Sequence, residues 1–273
     1  MLGKLLKYEI KATSRWFLPL YVAIIFSAII NKFLFVTPIV NKAFEQNNSF
    51  VNIMQGIISS VSMFLYVALF FGLFVATLIV VIQRFYKSLL GDEGYLMFTI
   101  PVKAWQNILN KLLVSMLWTF TSTVIGFGSI LILVPKEELK QLPYVVSDAF
   151  FEINQTLGAG GIVLLIIFAI LALIVSVMEI YTAISLGHLF NKYKLLLSFA
   201  MYLGLQTVAQ FLALFIVALS MKDINKPYVT DLTMQIGAPF RQFFIIANII
   251  LVLYAAGYFF LTNYLLEKKL NLE

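Results

Sequence analysis

Six uninterrupted apolar runs dominate the chain, at residues 16–36, 56–82, 109–134, 161–186, 195–221 and 243–266. Each is long enough to carry a helix across about 30 Å of hydrocarbon, which takes ~18–20 residues. The runs are continuous rather than alternating. That pattern predicts helices and argues against barrel strands of ~10 residues with polar alternate positions. Composition closes off the soluble alternatives. With 62% hydrophobic and 12% charged side chains in 273 residues, the chain lacks the polar surface of a water-soluble domain, in which about 25% of residues are charged. A disordered chain and a secreted disulfide scaffold are excluded on the same grounds, and there is no cysteine for a disulfide or a thiolate site. The expected fold class is all-α, a polytopic membrane protein with six transmembrane helices.

Lys and Arg in the short connections set the orientation. With the N-terminus inside, twelve cations fall on the cytoplasmic side, among them Lys4, Lys7, Lys11, Arg15, Arg84, Lys87, Lys103, Lys111, Lys192 and Lys194, and seven fall outside. Counting acids as well, the inner face carries +7 and the outer face is neutral; Glu179, inside a span, completes the net +6. Both termini are therefore expected in the cytoplasm and the chain in the plasma membrane. The basic surplus faces anionic lipid, where each cation contributes on the order of 1 kcal/mol, so nucleic-acid binding is not needed to explain it. The N-terminus has the charge and apolar run of a signal peptide but no small-residue cleavage site, and five further spans follow. It is expected to be retained.

Projected at 100° per residue, Lys4, Lys7, Lys11 and Arg15 fall in one arc of about 80° opposite Leu2, Leu5, Leu6 and Ile10. This predicts an interfacial amphipathic helix over residues 1–15 that anchors on the inner leaflet before span one begins at Trp16. Glu9 projects onto the apolar side, to reach headgroups, cap a neighbouring helix or pair with a partner subunit. Pro19 is expected to bend span one.

Residues 83–110, QRFYKSLLGDEGYLMFTIPVKAWQNILN, are too polar to cross and too long for a hairpin. Gly91 and Gly94 bracket Asp92 and Glu93 as a turn. Tyr95, Leu96, Met97, Phe98 and Ile100 then expose aromatic and aliphatic surface, and Pro101 suits the first turn of a new helix leading into span three. Such an aromatic, charged knob is either a docking element or a helix lying on lipid.

Taken together, the amphipathic N-terminal helix, the six spans and this loop, with Glu93, Gly94, Leu96, Pro101, Val102, Lys103, Ile108, Lys111 and Leu112, resemble the type-2 permeases of ATP-binding-cassette transporters. The opening MLGKLLKYEIKAT is similar to permeases of that family from Gram-positive bacteria. The likeness spans the chain, and its specific part is confined to residues 1–15 and 84–112. It implies that the loop contains a cytoplasmic coupling helix fitting a groove of the ATP-binding subunit, with Asp92, Glu93, Tyr95, Leu96, Phe98, Pro101 and Lys103 at the contact. It also implies two ATP-binding subunits, which hold ATP and Mg, and a second permease copy or paralogue. The segment from Lys222 to Arg241, interrupted by Pro227 and Pro239, departs from the family's re-entrant hairpin before span six.

The chain carries no ATPase of its own. It has no G-x-x-x-x-G-K-[ST] loop to cradle phosphates, no G-x-S-x-G elbow and no H-E-x-x-H helix. With one histidine, His188, a histidine metal cluster is excluded. Transport must draw on a separate ATPase or an ion gradient, and the chain itself is expected not to be an enzyme.

Few polar side chains lie inside the spans. Glu179 is the only ionisable residue deep in a run and must face the bundle, a cavity or a partner chain. Ser176, Thr182 and Ser185 share a slowly rotating stripe with it. A hydrogen bond to another span and a proton or substrate-cation site are the two readings. Gln206 and Gln210 in span five, four residues apart, share a face, as do Thr119 and Thr123 in span three. They either join helices or line the translocation path together with Glu179. His188 and Lys192 lie in the short inner turn between spans four and five, as solvated loop residues or as a second ATPase contact. Residues 135–160 outside are expected to form a short helix over the pore exit or an interfacial flap.

The reading that follows is the permease subunit of an ATP-driven exporter for amphipathic or hydrophobic cargo, peptides among them. The rival is an ion-coupled carrier or intramembrane enzyme using Glu179.

Overall fold

A computed structural model describes residues 2–35, 49–90, 103–190, 192–220 and 232–268. The described residues are almost all helical, with no strand among them. The helices are α1 (Leu2–Phe35), α2 (Ser49–Phe85), continued by a π-helical turn over Tyr86–Leu90, α3 (Ala104–Leu133), α4 (Lys136–Gly187), α5 (Lys194–Ser220) and α6 (Leu232–Lys268). All six are long and apolar enough to cross a membrane, the architecture of a multi-pass membrane protein. Helices are the expected solution, because backbone N–H and C=O groups in hydrocarbon must be satisfied within the segment. Side chains such as Phe64, Phe71, Phe211 and Phe260 stand exposed on them, a placement that suits a lipid solvent.

The chain forms two compact units, residues 1–81 with 117–145, and residues 82–116 with 146–273. In the first, α1 is one unbroken helix of 34 residues, with Pro19 inside it. It is about 51 Å long at ~1.5 Å per residue. Sequence reasoning places a separate interfacial helix before Trp16; instead the same helix runs through, because one buried face unites the two parts. Glu9, Thr13, Phe17, Tyr21, Ile24, Ala28 and Asn31 are buried at three- and four-residue steps along it. Lys4, Lys7, Lys11 and Arg15 are exposed, on the arc expected of them. Glu9 is buried on this stripe within the chain's own fold.

The partners of that stripe are specific. Trp118 Nε1 donates to Thr13 Oγ1 at 2.7 Å, and its ring stacks on Phe17 at 4.4 Å and 10°. Asn31 Nδ2 donates to the carbonyls of Ser27 at 2.9 Å and Ser62 at 3.1 Å. Thr77 donates its hydroxyl proton to Leu73 O, so Ser122 donates to Thr77 at 2.9 Å and Tyr21 in turn donates to Ser122 at 2.9 Å. Ser129 donates to Gly126 O, leaving Tyr66 as the donor to Ser129 at 3.0 Å. Bonds of this kind between spans typically contribute ~0.6–2 kcal/mol each.

α4 extends 52 residues and is broken at Gly158, where φ is 70° and ψ 169°. Only glycine adopts that conformation without strain. The part before the break answers the expected helix in residues 135–160, although it is longer than a short cap. α6 begins at Leu232, eleven residues before the apolar run; residues 221–231, including Pro227, lie outside the described residues.

Candidate functional site

The second unit gathers the described flanks of the polar segment 91–102. On the N-terminal side, Phe85 is fully buried and stacks on Tyr181 of α4 at 4.0 Å and 10°. The π-helical turn that follows buries Ser88, Leu89 and Leu90. Its wider turn accommodates one more residue per hydrogen-bonded ring than an α-helix, a device often found at functional positions. On the C-terminal side, α3 opens with the Gln106 N–H donating to the Lys103 carbonyl at 2.9 Å, and it buries Ala104, Asn107, Ile108, Asn110, Lys111 and Leu112. One turn further, Ser115 Oγ lies 2.8 Å from the Tyr181 hydroxyl. Tyr181 thus touches both flanks, one through its ring face and the other through its hydroxyl.

The α4–α5 turn is tied to the same place. Tyr86 presents its ring edge to His188, with centroids 5.1 Å apart at 65°. His188 Nδ1 is 3.0 Å from the Ile184 carbonyl, which can only accept, so Nδ1 carries the proton. Burial pushes the His188 pKa below the ordinary histidine value; the Ile184 bond opposes this and the Lys194 charge adds to it. The ring is therefore neutral at pH 7. It is a half-buried packing element rather than the solvated loop residue that sequence alone suggests. Lys192 is exposed. Where α4 meets α5, a Cβ on Gly187 would overlap Ser198 and lie 2.6 Å from its Cα, so the two backbones touch there. α6 joins through Thr262, which donates to Thr182 at 3.0 Å while Thr182 donates to Met178 O.

Two residues before Tyr181, Glu179 is buried. With its amide nitrogen facing the carboxyl, Gln206 of α5 donates to Oε1 at 3.1 Å and Oε2 at 3.2 Å. Tyr254 and Tyr258 of α6 lie within electrostatic reach of Glu179, with ring centroids 5.5 Å apart. The Tyr254 hydroxyl is buried and makes no hydrogen bond among the described residues. Glu179 thus meets neutral donors on a neighbouring helix, an arrangement that can exchange a proton or receive a cation. No group of three metal-ligating residues occurs among the described residues.

The residues singled out from sequence divide accordingly. Glu179 and Gln206 come together. Gln210 is exposed, and so is Ser176, whose hydroxyl bonds the Leu173 carbonyl. Lys103 is exposed beside the first turn of α3. Asp92, Glu93, Tyr95, Leu96, Phe98 and Pro101 lie outside the described residues. Sequence reasoning missed Tyr181, Phe85 and Ser115. A signal did exist for the last. Ser115, Ser122 and Ser129 recur every seven residues along α3, and each meets a tyrosine hydroxyl, from α4, α1 and α2 respectively.

The Glu179–Gln206 pair gives a direct test. Gln206→Leu strips the buried carboxyl of its donor and is expected to cost about 1–3 kcal/mol. Glu179→Gln, which keeps a partner for Gln206, is expected to cost less. Thermal unfolding of the detergent-solubilised chain compares them, and equal stabilities would show that the contact carries no weight.

Comparison of the chain with family models, with characterised proteins and with solved structures returns no match.

Proposed function

We propose that this chain is the transmembrane permease subunit of an ATP-binding-cassette exporter, forming the path for amphipathic or hydrophobic cargo such as peptides. In this reading it sits in the plasma membrane with both termini cytoplasmic. Lys4, Lys7, Lys11 and Arg15 on the first turns of α1 anchor it at the inner leaflet, and a coupling helix within residues 83–110 docks on the ATPase. Two ATP-binding subunits supply ATP and Mg, and a second copy or paralogue completes the pathway.

One observation supports it above the others. Both flanks of residues 91–102 are fastened to Tyr181, through Phe85 and Ser115. A displacement of that segment therefore acts on α4 close to the buried Glu179. A polar connection that only spans two helices has no need of attachment on both sides to a third. The six apolar helices and the sequence resemblance agree with this reading.

The test is co-purification from native membranes. An ATPase with a phosphate-binding loop is expected with the wild-type chain. Charge reversal at Asp92 and Glu93, or Tyr95→Ala, is expected to release it without unfolding the permease. Active transport by the chain alone in liposomes, indifferent to ATP, would overturn the proposal.

A second reading, an ion-coupled carrier or intramembrane enzyme, is favoured by the Glu179–Gln206 pair and the nearby unbonded Tyr254 hydroxyl. It requires Glu179→Gln to abolish activity while assembly with an ATPase is irrelevant.

A further inference from the structure

Gln210 lies two residues past Val208, the midpoint of the apolar run 195–221 of α5, and so about 3 Å from the middle of the bilayer at ~1.5 Å per residue. Its side chain is exposed, and it makes no hydrogen bond among the described residues. Exposed Thr207 and Ser176 differ, because their own helices satisfy them. Thr207 donates to Leu203 O at 2.7 Å, and Ser176 donates to Leu173 O at 2.9 Å. The Gln210 amide stands bare. An unbonded amide is costly in hydrocarbon, and this short side chain does not reach across the ~12 Å that remain to the headgroups of a layer ~30 Å thick. Another molecule must supply its partner.

Self-complementarity identifies that partner. A glutamine amide both donates and accepts, so an identical side chain at the same depth satisfies it. Two copies of one chain, inserted in the same direction, bring their Gln210 residues to the same depth with no further adjustment. We propose that two copies of this chain pair along α5, with Gln210 meeting Gln210 across a two-fold axis along the membrane normal. Steps of three and four residues from Gln210 trace Ala200, Leu203, Thr207, Leu214 and Val217, all exposed. This is the 3.5-residue spacing of a left-handed seam, and the small residues Ala200 and Thr207 on it let the two backbones approach. Most of the exposed surface of α5 is apolar, so spacing alone does not choose a seam; the amide does. A single polar residue in an apolar seam fixes register and the number of partners, which a surface that meets only lipid has no need to do. Gln206, one turn before Gln210, bonds Glu179, so pairing places the two Glu179–Gln206 contacts beside the seam. The pairing rests on the proposed function for the expectation of a second permease, and it commits that permease to an identical chain.

The chain has no cysteine, so single substitutions can be crosslinked in the full protein in native membranes. Leu203→Cys and Leu214→Cys are expected to give disulfide-linked dimers on oxidation. Val208→Cys and Phe215→Cys, exposed on α5 away from the seam, are expected to stay monomeric. Energy transfer between donor- and acceptor-labelled copies in phosphatidylcholine vesicles measures the pairing itself. Gln210→Leu is expected to weaken it about 3- to 30-fold, and Gln210→Asn, which keeps the amide, to weaken it less. Gln210 bonds nothing in its own chain, so thermal unfolding of the monomer in dilute detergent is expected to be unchanged by Gln210→Leu. Pairing indifferent to Gln210→Leu, dimers that crosslink through Val208→Cys and Phe215→Cys instead, or a wild-type chain that stays monomeric in vesicles each overturn the proposal. Co-purification separates it from the proposed function. An ATPase that accompanies a chain whose α5 does not crosslink overturns the seam alone, whereas seam dimers free of any ATPase support the seam and overturn the permease reading.

Discussion

Tyr181→Ala is expected to destabilise the second unit by about 3–5 kcal/mol, the usual loss for truncating a large buried aromatic. The loss has two sources. The ring of Tyr181 is fully buried and parallel to Phe85 at 4.0 Å, and its hydroxyl meets Ser115 at 2.8 Å. Between spans there is no hydrophobic gain from leaving water, so the vacated volume is felt as lost packing. Tyr181→Phe separates the two sources. It retains the stack, gives up the hydroxyl and is expected to cost only ~0.6–2 kcal/mol. Unfolding of both variants in detergent, followed by near-ultraviolet circular dichroism, measures the difference. If the two variants unfold alike, the stack is not what holds the junction. If the proposed function is right, Tyr181→Ala also separates ATP hydrolysis from transport in the reconstituted complex, whereas Tyr181→Phe leaves them linked.

Gly187→Ala is the second large effect, and an unusual one for the addition of a single methyl group. The new Cβ would meet the backbone of Ser198, 2.6 Å from its Cα, where no rotamer change provides room. α4 and α5 would have to part there. Overpacking of this kind costs about 1–3 kcal/mol and occasionally more. Gly204→Ala and Gly257→Ala, whose new methyl groups would meet open space, are expected to be neutral or slightly stabilising by helix propensity. Replacing Ser198 by Gly in the Gly187→Ala background should recover only part of the loss, because the backbone overlap remains. Full recovery would mean that the serine hydroxyl alone was responsible.

The six helices were legible because a long apolar run in lipid has a single backbone solution. Their ends were less so. α1 begins well before its apolar run because Glu9 and Thr13 continue a buried face that an apolar projection cannot recognise. The partner of Thr13, Trp118, is 105 residues away. The helix before Gly158 was foreseen in place but not in length, since its exposed sides leave no burial pattern to mark an end. For the site, the rarity of charge inside a span singled out Glu179, and a polar residue on the next helix, Gln206, bonds to it. Gln210, four residues on, is exposed, because i, i+4 spacing fixes a shared face only approximately. Tyr181 gave no warning, because an aromatic residue in an apolar run looks the same whether it packs on lipid or on another ring. Thr119 and Thr123 attracted notice by their spacing of four, and Thr123 bonds the Thr119 carbonyl, while the serines spaced by seven bond tyrosines of other helices.

That serine series limits how the spans can move. A helix sliding along α3 by one turn, about 5.4 Å, would pull its tyrosine hydroxyl off its serine and cost that hydrogen bond in hydrocarbon. The tyrosines of α1 and α2, and that of α4 within its own unit, act as pawls on a toothed bar. Tilting about such a bond stretches it far less than translation does. Motions of these helices against α3 are therefore expected to be pivots with fixed register, and the ratchet that forbids slippage also supplies their axes.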